Sequence, residues 1–307
     1  MEQYGEKDQG KKKVYEANTF PVSFALGEIN KNISISTKTP SKPSKEQIIN
    51  QAFNFHSQGK ISEAAKYYQY LINQGFNDQR VFSNYGIILK DLGKLQEAKL
   101  SILKSIEIKP HDADFYFNLS LIELLSGDYE SGLEHYEYRL NKKEPINFKC
   151  KTKLQRIDDK NFEKAEQLLI ISEQGLGDTL QYMRYVPYLR SQGIDVAFSA
   201  QKKLHSLIKA SGIDQNPLTP EQVNTVSEGQ WIPLLSLPRY LKIRPEYPII
   251  TNPYIFSTGE LIKKWRDILN TEERPIVGIN WQGSPGMEKL SYQGRSLPLE
   301  TFSILSD

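Results

Sequence analysis

Glu173-Gln174-Gly175-Leu176-Gly177-Asp178-Thr179 combines two carboxylates, a carboxamide, a hydroxyl and two glycines directly after the apolar run 168–171. That run has the length and β-branching of a buried parallel strand, and Gly175 and Gly177 close it with a turn. Asp178 and Thr179 stand where a helix N-cap belongs, and Leu180, Met183 and Val186 follow at helical spacing. Strand, glycine loop and helix in this order aim free backbone N–H groups at whatever lies over the strand's carboxyl end, where open α/β sheets bind ligands. A plainer reading uses the same residues: the glycines supply backbone angles and Asp178 caps a helix. G-x-G without the third glycine of the dinucleotide fingerprint leaves both readings open.

The elements that must position this loop follow it in the chain. Residues 194–199 read as a second strand, 201–210 as a helix stopped by Gly212, and 231–235 as another strand. Alternating strands and helices imply a parallel sheet with right-handed crossovers, so residues 165–256 are expected to form a Rossmann-like lobe. Residues 259–270 read as an amphipathic helix with Leu261, Ile262, Trp265, Ile268 and Leu269 on its buried side. Residues 276–281 read as one more strand, closed by the glycine-rich loop that holds Gly283 and Ser284.

Upstream the chain repeats itself. Gly59, Gly93 and Gly127 are each 34 residues apart, as are Ala64, Ala98 and Gly132. Ala52, Gly86 and Ser120 keep the same interval as the small residue of a first helix, and Tyr68, Ile102 and Tyr136 as the large residue of a second. This is the period of tetratricopeptide repeats, with units at 45–78, 79–112 and 113–146. Small residues let the two helices of a unit approach closely, while bulky ones fill the gap to the next unit. No unit buries its own apolar face, so the three must stack into an α-solenoid. Such a solenoid offers a concave groove to a protein or peptide, and Asn84, Lys90 and Asn118 are the polar candidates there. Asn84 and Asn118 are again 34 apart; the other reading makes them tolerated surface amides.

Composition narrows the remaining choices. A net charge of +2 gives no footing for nucleic acid, and the single cysteine, Cys150, allows no internal disulfide. No Cys/His spacing suits zinc, and His111 and His135 read as packing or surface residues. The 307 residues contain no apolar run long enough to span a bilayer and no secretory apolar core at the start, which points to the cytoplasm. Residues 1–44 are rich in Lys, Ser, Thr and Pro and cannot bury enough surface to offset their ordering entropy. Residues 147–164 read as a linker of mixed charge.

The run E-Q-G-L-G-D-T-L-Q-Y-M-R-Y-V-P from Glu173 resembles the first motif of a bacterial family that joins tetratricopeptide repeats to a heptosyltransferase-like glycosyltransferase of the GT-B type. Protein O-GlcNAc transferases are more distant relatives of that family. I-P-L-L-S-L-P at 232–238, V-G-I-N-W-Q-G-S-P at 277–285 and R-S-L-P-L at 295–299 resemble its later blocks in the same order. Y-E-Y-R-L at 136–140 resembles its Y-E-W-R junction, with tyrosine in place of tryptophan.

The resemblance implies a two-lobed fold in which the first lobe takes the acceptor and the second a sugar nucleotide, without a metal. It makes Asp178 the base that draws the proton from an acceptor hydroxyl during inverting transfer, with Glu173 as the alternative. A helix N-terminus would hold either carboxylate ionised. Gln174, Gly175, Gly177 and Thr179 would line the acceptor side, and Gly283, Ser284 and Arg295 the diphosphate side, Arg295 through bidentate contact. Asn84 and Asn118 are similar to rungs of the asparagine ladder with which O-GlcNAc transferases hold an acceptor polypeptide. From Pro275 onward the chain has only 33 residues, held in the segment 257–307 with the interlobe helix, and a full second lobe needs about five strands. The expectation is a chain inactive by itself unless another chain supplies the remainder, or else a non-catalytic interaction module.

Overall fold

The computed structural model describes residues 43–144, 146, 148, 150–157, 167–173, 175–249, 252–280 and 296–305. Helices α1 (Lys45–Ser57) and α2 (Ile61–Asn73), α3 (Gln79–Asp91) and α4 (Leu95–Ile108), and α5 (Ala113–Leu125) and α6 (Tyr129–Tyr136) form three antiparallel pairs. A 3-10 turn, Glu137–Leu140, closes the last pair.

Each first helix starts on a side-chain cap: Ser44 in a capping box with Gln47, Asp78 to the Arg80 N–H, and Asp112 to the Asp114 N–H. Each ends at a turn whose glycine has positive φ, 72°, 75° and 83° at Gly59, Gly93 and Gly127. A side chain there would be strained, which explains the 34-residue recurrence of glycine. Ala52, Ala64, Tyr68, Ala98, Ile102 and Ser120 are fully buried, as their repeat positions require. At Gly86 an added Cβ would lie 2.8 Å from Ile102 Cδ1, so the absence of a side chain sets how closely α3 and α4 approach.

Strands β1 (Gln155–Arg156), β2 (Gln167–Ile171), β3 (Asp195–Ser199) and β4 (Gln230–Pro233) form one sheet in the order β1-β4-β2-β3, every pairing parallel. Leu168, Ile170, Val196, Phe198 and Ile232 pack on one face with Met183, Val186 and Leu189. Leu169 and Ile171 pack on the other with Val223, Phe148, Cys150 and Leu154. Strand β2 is therefore covered on both sides, as its continuous apolar run requires. Residues read from sequence as linker supply part of this cover and the edge strand β1. Two residues are too short to give a periodic signal. At Gly229, with φ 88°, an added Cβ would collide with the Gln167 carbonyl, so glycine lets the entry to β4 pass close beside β2.

Three local expectations change. Helix α7 (Leu176–Tyr182) begins on Gly175, whose extended backbone places its carbonyl to accept the Thr179 N–H at 3.0 Å. Asp178 therefore stands in the first turn instead of capping it, and Gly177 is helical. The helix breaks at Met183 and resumes as α8 (Tyr185–Ser191), because Pro187 has no N–H to offer the Met183 carbonyl.

The second change concerns α9 (Gly259–Leu269). It is helical and capped by Thr258, but the face expected to be buried is open: Leu261, Ile262, Trp265, Ile268 and Leu269 are 41–55% exposed. Nothing among the described residues packs over it. Third, residues 276–280 form no strand, since among the described residues no neighbouring strand supplies the hydrogen bonds a strand needs.

Candidate functional site

The loop from Glu173 to Thr179 lies at the carboxyl end of β2 and is anchored from two directions. From the sheet side, the Gln201 carboxamide beyond β3 donates to the Glu173 carbonyl at 2.9 Å. Its oxygen accepts from the Thr179 hydroxyl at 2.9 Å, and that hydroxyl also lies 3.0 Å from the Gly175 carbonyl. Thr179 is fully buried, so its side chain serves the loop's own geometry.

From the solenoid side comes Arg139. One of its terminal nitrogens, Nη2, donates to Glu173 Oε1 at 2.7 Å and to the Ser236 hydroxyl at 2.9 Å. The other, Nη1, donates to Glu137 Oε1 at 2.7 Å and to the Tyr136 carbonyl at 3.2 Å. Ser236 completes the circuit by donating to Glu137 Oε2 at 3.0 Å. The Arg139 and Glu173 side chains are 1% and 2% exposed. Residues from the solenoid's last turn, the β2 loop and the turn after β4 thus meet on one guanidinium. Arg139, Glu137 and Ser236 escaped the sequence reading, although each lies in a motif it singled out. An isolated arginine in a repeat junction carries no periodic signature of burial.

Burial pushes the Glu173 carboxyl up; Arg139 opposes that shift, while the Glu137 and Asp178 carboxylates add to it. Desolvation outweighs the helix N-terminus in setting this direction, and Arg139 supplies the counter-charge. Locked against Arg139, Glu173 is also withdrawn from the surface as an alternative base. Asp178 differs: it is exposed on α7, its carboxylate lying back over Gly175. Tyr136 stands in the same electrostatic neighbourhood. Burial pushes its phenol up to about 12, with Arg139 opposing and Glu173, Tyr182 and Asp178 reinforcing the shift.

The structure places Gly175 half-buried at the N-cap and Gly177 exposed within α7. Gln174, Gly283, Ser284 and Arg295 lie outside the described residues. Asn84 and Asn118 sit at matching positions on α3 and α5. Asn84 donates to the Arg80 carbonyl at 2.8 Å, and Asn118 reaches Ser83 at 3.4 Å. Asn50 on α1 stands 34 residues before Asn84 and is exposed; the sequence reading set it two residues out of register, and the subtraction corrects that and gives the amide row a third member. Phe53, Ile87 and Leu121, one helical turn further along, repeat at the same interval and are half-buried. Arg80 ties α3 to α1 by gripping both Glu46 oxygens at 2.9 Å.

Three helix pairs in a 34-residue register define a tetratricopeptide solenoid, here joined to a small parallel α/β sheet. Neither protein-family models nor curated proteins yield a match to the chain. Among solved structures, PcrH in complex with the chaperone binding region of PopD is 26% identical, with a TM-score of 0.29, over 31% of this chain and 71% of its own. The TPR2B domain of yeast Sti1, in a complex with pHsp70, is 24% identical with a TM-score of 0.29, over 30% of this chain and 74% of its own. A mutant O-GlcNAc transferase of Thermobaculum terrenum is 14% identical with a TM-score of 0.30, over 31% of this chain and only 18% of its own. The repeat assignment rests on the register and the paired helices and not on these partial likenesses. No described helix is long and apolar enough to cross a membrane.

Proposed function

We propose that this chain is a polypeptide-recruiting module whose solenoid holds an extended segment of a partner protein beside an α/β lobe of the glycosyltransferase type. The observation that carries the reading is the threefold register of Asn50, Asn84 and Asn118, with Phe53, Ile87 and Leu121 one turn away. An amide can donate to and accept from the backbone of an extended peptide whatever its sequence, and the apolar row adds contact area. The named neighbours that are complexes with protein segments are consistent with this use of the fold. Selecting peptides from a random display library on the intact chain tests the reading. Enrichment of unstructured peptides is expected, and failure to enrich any would contradict it.

A second reading concerns the lobe. Asp178 is exposed at the carboxyl end of the central strand while Glu173 is locked away, so Asp178 is the carboxylate of this loop free to take a proton from an acceptor hydroxyl. The sugar nucleotide would be the co-substrate, with Gly283, Ser284 and Arg295 as its expected contacts. Turnover of a panel of sugar nucleotides, lost in Asp178→Ala, is the result expected of a transferase. Turnover unchanged in that variant removes Asp178 from the role, and no turnover with any donor agrees with the expectation that this chain is inactive by itself.

A further inference from the structure

We propose that Arg139 is a positioning residue, the means by which the solenoid's last turn fixes the shape of the loop that carries Asp178. This rests on the reading of that loop as the lobe's binding site, while its test does not require turnover. The geometry forms an unbroken chain of bonds. Arg139 holds the Glu173 side chain at 2.7 Å, Gln201 holds the Glu173 carbonyl at 2.9 Å, and Thr179 joins Gln201 to the Gly175 carbonyl at 2.9 and 3.0 Å. One end of the chain belongs to the repeats and the other to the helix bearing Asp178.

Stability alone is a poor explanation for this arrangement. A buried ion pair regains little more than its own desolvation cost, and well-packed apolar groups of similar size often do as well. This one is further encumbered. Two carboxylates, Glu137 and Glu173, share one guanidinium, and Arg139 Nε and Glu173 Oε2 are buried with no hydrogen-bond partner among the described residues. What the network provides that an apolar plug would not is direction. Nη2 of Arg139 holds one oxygen of the Glu173 side chain while Gln201 holds its backbone carbonyl, leaving residues 175–179 little room to move. The site on the lobe is thus incomplete without the repeats.

Amide hydrogen exchange on the full chain tests this, comparing wild type with Arg139→Met and with the double variant Arg139→Met/Glu173→Met. The double variant removes both charges and so avoids the uncompensated carboxylate that could unfold the single one. Expected in the double variant is a loss of protection of about tenfold or more at Thr179 and along the rest of α7, with β2, β3 and α1–α4 unchanged. Arg139→Lys keeps the charge without the fork and should restore only part of the protection. Unchanged protection at Thr179 and along α7 in the double variant would overturn the proposal. So would a uniform loss across all elements, which would mark a purely structural role. Peptide binding through the distant asparagine row should persist in the double variant, so failure of the recruiting reading is scored separately.

Discussion

The guanidinium of Arg139, from the turn that ends the solenoid, lies 2.7 Å from the carboxylate of Glu173, at the end of the sheet's central strand. Both side chains are almost wholly withdrawn from solvent. This pair joins the solenoid's last turn to the end of β2. Arg139→Ala strands two carboxylates beside one cavity and should cost about 3–5 kcal/mol of stability. Arg139→Met/Glu173→Met should cost much less. Urea denaturation of the two variants distinguishes them, and equal losses would show that the uncompensated charge is not what matters.

The solenoid's caps set its acid stability. Burial works to raise the Asp78 carboxyl, but hydrogen bonds from the Arg80 side chain and N–H overcome it and leave it lowered. At Asp112 burial is likewise outweighed, by bonds from Lys109 and the Asp114 N–H. Carboxyls lowered in the folded state contribute stability that is present above their unfolded pKa and lost as pH falls through the folded one. Glu173 has the opposite sign: its raised carboxyl favours the fold at low pH, and that contribution fades as pH rises from about 4 through the folded value. Glu173→Gln should therefore remove this decline above about pH 4 and leave in place the acid limb, to which Asp78, Asp112 and the α6 cap Asp128 contribute. Thermal melts across pH check both limbs.

At Gly229 the backbone is left-handed and an added Cβ would run into the Gln167 carbonyl. Gly229→Ala should destabilise the sheet by about 2–4 kcal/mol, combining strain with overpacking. Calorimetry should show the loss in the sheet's transition; a cost near zero would mean that the entry to β4 relaxes freely.

Much of this fold was legible in the sequence because its signals are periodic. The 34-residue recurrence of Gly59, Gly93 and Gly127 reports a backbone angle, and the run 168–171 reports a strand covered on both faces. What escaped had no period. Strand β1 is two residues long, and Phe148, Cys150 and Leu154 cover a sheet face from irregular chain. The pattern of α9 gave its helix and its apolar stripe, yet amphipathicity cannot say whether a partner is present to bury that stripe. Within the site, the residue types placed Glu173 and Asp178 side by side. Their divergence, one locked and one exposed, depends on Arg139, which is 34 residues away from Glu173. The third asparagine, Asn50, was legible in the sequence too, since it stands at the repeat interval of 34 before Asn84.

The central claim is that the solenoid recruits extended polypeptide through its amide row. Fluorescence anisotropy with a display-selected peptide, on wild type and on Asn50→Ala/Asn84→Ala/Asn118→Ala, tests it most directly. Since each amide contributes about 0.5–1.5 kcal/mol, the account predicts binding weaker by about tenfold or more with the fold intact by circular dichroism. Affinity equal to wild type in a folded triple variant would contradict it.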